Sequence, residues 1–197
     1  MTGRHKKKKA KGKNQKANHA PLLILIGIAL IIILIFRQEI SDTFKTRGKR
    51  KDIFREKKMV LLYFSDRDDE YLVGEKREII KRGEVNLEAE ETILELIKGP
   101  KGKLVPTLPP RTKLLALHVN EKGVAEVNFS RAFSKDHPGG SSAEMMTIYS
   151  IVNSLTLNFP QIKKVQILIE GKTGETIAGH LSLDRPISFK PDLIKRQ

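Results

Sequence analysis

The chain has 197 residues, 37 Lys and Arg against 23 Asp and Glu, a formal net charge of +14 and no cysteine. This length suits one ordinary domain with appendages, and the missing thiols exclude disulfide scaffolds, thiolate metal sites and cysteine nucleophiles. The charge is strongly sectored: residues 1–20 carry +8, residues 37–58 carry +5, and the 139 residues from 59 to 197 only +1. A nucleic-acid-binding domain would carry a basic face of its own, so no nucleic-acid partner is expected.

Residues 1–16 form a basic tail. Between Lys16 and Arg37 lie twenty residues without a formal charge, and from Leu22 to Phe36 there is no polar side chain. A helix of twenty residues rises about 30 Å, the thickness of a hydrocarbon core. The spacing therefore predicts a single membrane span over 17–36, with the lipid bilayer as first partner and Lys16 and Arg37 snorkelling at its ends. Arg37-Gln38-Glu39-Ile40 follows in place of a small-residue cleavage pattern, which argues against a removed signal peptide. The flanking base counts nearly balance; the acid-free tail favours an N-terminus in the cytoplasm and a C-terminal domain outside it.

Residues 37–58 read as a charged juxtamembrane stalk. From Met59 the texture changes to that of a folded domain, expected over 59–190, with 191–197 as a C-terminal tail. Met59–Phe64 is a short apolar run typical of a central strand, and residues 71–80 form a second, more charged one. A helix is predicted from Asn86 as cap to Gly99-Pro100 as stop. A connector with four prolines follows, packed by Leu104, Val105 and Leu108. Residues 114–119 and 124–129 form a hairpin across Asn120–Gly123. A second helix runs from Ser142 to Asn158, with Ser141-Ser-Ala-Glu144 as a capping box. Strands are expected at 164–170 and 176–183. The fold class is α+β, in the order β-β-α-β-β-α-β-β, with two helices packed on a mixed sheet.

No nucleophile elbow, zincin helix or Walker loop is present. Ser141, His137 and the His180-Leu-Ser-Leu-Asp184 segment supply the side-chain types of a hydrolase triad, and an envelope enzyme acting on cell-wall or glycan substrates is the alternative reading. The reading favoured is non-enzymatic, with no cofactor and no metal. His118, in an apolar strand, reads as structural. In His137-Pro-Gly139-Gly140 the glycines permit positive φ ahead of a helix, either as a tight loop or as an anion site. The second helix carries no charge from Met145 to Phe159 in a chain that is 30% charged. Its polar stripe of Thr147, Ser150, Asn153, Ser154 and Asn158 suits a face that is covered, by the domain itself or by a partner. Ser150, Asn153, Ser154, His137, Gly139 and Gly140 are accordingly the candidate partner contacts.

Several segments together, Leu104-Val-Pro-Thr-Leu-Pro-Pro-Arg-Thr-Lys-Leu-Leu115, Val127-Asn-Phe-Ser130, His137-Pro-Gly-Gly-Ser-Ser-Ala-Glu144, Thr147-Ile-Tyr-Ser-Ile-Val-Asn153, Val165-Gln-Ile-Leu-Ile-Glu-Gly171 and Gly179-His-Leu181, resemble the GerMN domain family of sporulation and spore-germination proteins. The resemblance implies a non-catalytic domain outside the cytoplasm, on a lipid-anchored or single-pass protein of the cell membrane. It implies as partner an envelope protein or the cell wall.

Overall fold

The computed structural model describes residues 56–174 and 176–196. The predicted span at 17–36, with its ends Leu22 and Phe36, and nearly all of the stalk lie outside them. Among the described residues no helix is long and apolar enough to cross a membrane.

The run Lys57–Ser65 forms β1, and it pairs antiparallel with β2, Leu72–Ile80, as a two-stranded sheet. The turn between them is set by Asp66, whose carboxylate accepts the main-chain N–H groups of Glu70 and Tyr71 at 3.1 and 3.2 Å. Helix α1, Val85–Ile97, buries Ala89, Ile93 and Leu96. Strands β3, Leu114–Val119, and β4, Val124–Phe129, form the expected hairpin. Gly123 closes its turn at φ +74°, where an added Cβ would lie 2.7 Å from the Gln161 carbonyl, so only glycine fits. A single turn, α2 (Ala132–Lys135), precedes the long helix α3, Ser141–Asn158. The chain then returns as β5, Lys164–Ile169, parallel to β4, and ends the sheet with the two-residue β6, Ile187–Ser188. The second sheet has the order β3-β4-β5-β6. Its core joins Val127, Phe129 and Ile167 to Ile93 of α1 and Ile148, Ile151 and Leu155 of α3, and the Phe129 and Phe133 rings stack at 4.5 Å.

The α+β class stands, but four expectations are corrected. There are two sheets in place of one mixed sheet. Residues 176–183 form no strand; the sixth strand lies later, after Pro186. The tail after 190 belongs to the domain: Pro191–Leu193 is a 3-10 turn, and the Lys195 N–H donates to the Leu72 carbonyl at 3.0 Å. Neither helix is capped as expected, since the cap positions are Glu84 and Gly140 and neither makes a side-chain cap bond. Asn86 instead accepts the Val119 N–H at 2.9 Å, tying α1 to β3. Glu88, buried, accepts the N–H groups of Arg82 and Gly83 and an ion pair from Lys58.

The two sheets are separate because α3 occupies the outer edge of β1. The Asn158 side-chain oxygen accepts the Leu61 N–H at 2.8 Å, and its amide nitrogen donates to the Leu61 carbonyl at 2.7 Å. Ser154 accepts the Tyr63 N–H at 3.0 Å. The connector closes the row, with the Val105 N–H donating to the Ser65 carbonyl. Buried main-chain groups need partners; here helix side chains supply what a neighbouring strand normally would.

Candidate functional site

The polar stripe of α3 is an internal surface. Ser150, Asn153 and Ser154 are fully buried, and Thr147 almost so. Ser150 accepts the Thr107 hydroxyl at 2.8 Å and donates to the Thr147 carbonyl. Asn153 pairs both amide atoms with the main chain of Lys190, each at 3.1 Å. Of the two covers the sequence allowed for this face, the domain itself is the one observed. A partner cannot touch Ser150, Asn153 or Ser154 in the folded domain, so these three are withdrawn as contacts.

His137, Gly139 and Gly140 lie nearer the surface, in the loop entering α3 beside an open groove of about 270 Å³. One wall is the end of the β1–β2 hairpin, Ser65 and Asp69. The second is the Pro-rich connector from Val105 to Pro110, the third Asp136 and Pro138, and α3 supplies Ala143, Met146 and Thr147 as floor. Pro106, Pro109 and Pro110 fix φ along this wall and carry no N–H, and the Val105 N–H is already given to the Ser65 carbonyl, which makes the wall stiff and largely apolar.

The His137 ring fastens the loop. Its Nδ1 accepts the Gly139 N–H at 3.0 Å, and its Nε2 lies 3.0 Å from Thr147 Oγ1. The Thr147 hydroxyl proton is committed to the Thr107 carbonyl at 2.5 Å, so Nε2 must carry the ring proton and donate. The network thus selects the neutral Nε2–H tautomer. Gly139 and Gly140, at φ +85° and +88°, allow the main chain to turn back onto the ring. Burial pushes the His137 pKa below its ordinary value, against the opposing pull of the Ala143 main chain and of Glu144. A folded-state pKa lowered in this way makes the unfolded chain bind the extra proton. The stabilisation from neutral His137 is therefore fully present above the ordinary histidine range, about 6.5, and is lost as pH falls below it. Thermal unfolding of wild type and His137→Gln between pH 5 and 8 checks this: the wild-type slope in that window should be flattened in the variant.

The other polar groups at the groove are likewise engaged. Ser65 donates to Asp69 at 2.7 Å, Asp69 itself standing at φ +54°. Asp136 takes a bidentate pair from Arg111 at 2.8 and 2.9 Å. The side chains of a possible triad do not converge. Ser141 is exposed, Ser182 bonds Asp184 two residues on, and His137 faces Thr147. The expected capping box at this helix start does not form, because Glu144, fully buried, is engaged elsewhere. It accepts the N–H groups of Ile177, Ala178 and His180 at 3.0, 3.2 and 2.9 Å. His118, expected to be structural, is exposed on β3 opposite Glu126. Among the described residues no group of acids and histidines is arranged to hold a metal ion. Sequence reasoning missed Thr107 and Asp69 as groove residues; only the proline density nearby hinted at an ordered wall.

A family model described as sporulation and spore germination, the Germane or GerMN domain, matches residues 61–175. The chain belongs to the GerMN family. The match begins in β1 and ends after β5, and so takes in the hairpin, the connector, the groove and α3. Solved GerMN structures share the fold. The first GerMN domain of the sporulation protein GerM from Bacillus subtilis is 22% identical, with a TM-score of 0.53 over 66% of this chain and 97% of that one. The tandem GerMN domains of the same protein align at 22% identity and a TM-score of 0.50, over 66% of this chain and 46% of that chain. A Clostridium perfringens structure with a provisional lipoprotein description is 27% identical, with a TM-score of 0.49 over 67% and 87%. No curated protein matches the chain.

Proposed function

We propose that this GerMN protein is a membrane-tethered, extracytoplasmic binding and assembly module of the bacterial cell envelope, with no catalytic chemistry of its own and with the Pro-walled groove as its binding face. The observation that carries the reading is a near-neutral family domain that follows, after a charged stalk, an uncharged, base-flanked stretch long enough to span a bilayer. The groove chemistry agrees with it. Ser65, Asp69, Asp136 and His137 are each held by a local partner that fixes the wall, and the surface offered between them is stiff and apolar. Such a surface suits an extended peptide or a polymer better than a reaction centre.

Two measurements test the reading. A reporter active only outside the cytoplasm, fused after Gln197, should be active in intact cells, and a cytoplasm-only reporter at the same place should be silent. A photoreactive residue at Pro110, in the groove, should crosslink in native membranes to one envelope component that the same residue at Glu126 does not capture. Activity of the cytoplasmic reporter overturns the topology. Identical capture from both positions removes the groove as the binding face.

A further inference from the structure

The two edges of the β1–β2 hairpin are treated differently. The β1 edge is covered by α3 and the connector. On β2, outward-facing main-chain groups are met at the two ends: the Leu72 carbonyl accepts the Lys195 N–H at 3.0 Å, and the Ile80 N–H donates to Glu91 at 3.0 Å. Strand groups alternate in direction, so the outward residues between these ends are Gly74, Lys76 and Glu78. Among the described residues nothing bonds their main-chain N–H and C=O groups.

We propose that this open stretch of β2 pairs with the same stretch of a second copy of the chain, antiparallel, about a two-fold axis at Arg77. Charge complementarity favours this pairing. Read antiparallel about Arg77, Lys76 of one copy falls opposite Glu78 of the other, and the symmetry repeats the pair. Both side chains are exposed on the same face of β2. Each such cross-strand pair exchanges two main-chain hydrogen bonds, giving a ladder of four. Arg77 points to the opposite face, where it is 3% exposed and neutralised by Glu75 and by Glu95 at 2.9 Å, so no bare charges meet on the axis. Neighbouring registers are worse. Centring on Lys76 sets lysine against lysine, which is destabilising. Centring on Glu75 brings no opposite charges together and requires the Leu72 carbonyl that Lys195 already holds. The Glu91 bond to Ile80 ends the ladder at one side and keeps the register short. Within its own chain Glu78 also pairs with Lys57 at 2.6 Å, but both are exposed, and such a pair competes weakly. Lysine on an edge strand can also serve to repel partners; what favours pairing here is the matching acid two residues away, which makes the edge complementary to itself.

The test uses the purified full chain, in one detergent or lipid vesicle throughout, labelled after Gln197 with donor or acceptor dyes. Energy transfer between copies is expected for the wild type. Lys76→Glu alone and Glu78→Lys alone each place like charges opposite one another twice, and each should weaken association roughly tenfold. The double exchange Lys76→Glu with Glu78→Lys should restore it, while Glu121→Lys, a control on an exposed turn, should leave it unchanged. Melting curves establish that the variants remain folded. No transfer in the wild type, transfer indifferent to either single change, or a double exchange that fails to rescue would each overturn the pairing.

Discussion

Replacing Glu144 by alanine should lower the stability of the domain by about 4 kcal/mol or more, among the largest losses open to a single side chain here. Its carboxylate is fully buried and accepts three main-chain N–H groups from the segment at 177–180. Hydrogen bonds to a charged acceptor contribute about 1.5–3 kcal/mol each, and donors left buried without partners add a further cost. For a domain of this size the loss corresponds to a fall of about 12–20 °C in Tm. Glu144→Gln keeps the shape but turns one acceptor into a donor facing an N–H, and it should lose about half as much. The same site gives a pH signature. Burial opposes ionisation of Glu144, yet the N–H groups of Ala178, His180, Ile177 and Leu181 outweigh it and hold the carboxyl below its usual range. With the folded value depressed, this stabilisation is fully present above the ordinary glutamate pKa, about 4.3, and is lost as pH falls through the folded one. Unfolding followed by circular dichroism from pH 3 to 7 should show a steeper acid limb in the wild type than in Glu144→Gln.

Ser154→Lys should abolish cooperative folding. Ser154 is fully buried, and among the described residues its hydroxyl is the one partner of the Tyr63 N–H at this edge. The substitution strands that N–H and forces an ammonium into the seam between α3 and β1, costing several kcal/mol. That is a large share of the roughly 5–15 kcal/mol that stabilises a typical domain. Ser154→Ala, which removes only the bond, should cost about 1 kcal/mol. A lysine variant that melts like the wild type would falsify the internal role of the stripe.

Much of the fold was legible because its signals are local. The apolar run at Met59–Phe64, the acid-rich start of α1 and the Asn120–Gly123 turn each carry their own physics and appear where expected. The second helix starts within a residue of its expected position, and the lack of charge along its stripe matches a covered face. What covers it was not legible, because Leu61 and Tyr63 lie 91 to 97 residues away in sequence. The missing strand at 176–183 fails for a related reason. Its alternating pattern is genuine, but Glu144 claims three of its N–H groups before a ladder can, and Gly179 sits at φ +99°. The division into two sheets has the same origin, since no local pattern announces that a helix will take the place of a strand. At the groove, the unusual Gly139 and Gly140 were visible in the sequence. The Thr107–Thr147–His137 relay joins three separate segments and was not.

A strand edge sealed by a helix 91 to 97 residues downstream has a consequence for the nascent chain. The β1–β2 hairpin leaves the ribosome complete, with Leu61, Tyr63 and Ser65 still offering bare main-chain groups. At about 5–20 residues per second, the segment that carries Ser154 and Asn158 follows roughly 4–16 seconds later. Throughout that interval the hairpin is an adhesive ribbon, open on both sides to other newly made copies. The late arrival of α3 then works as a maturation step that closes one side for good and leaves only the short, charged stretch at Gly74–Glu78 available to a neighbour. A synonymous recoding that slows translation between residues 66 and 140 should lengthen that interval and raise the aggregated fraction of a chain whose finished structure is unchanged.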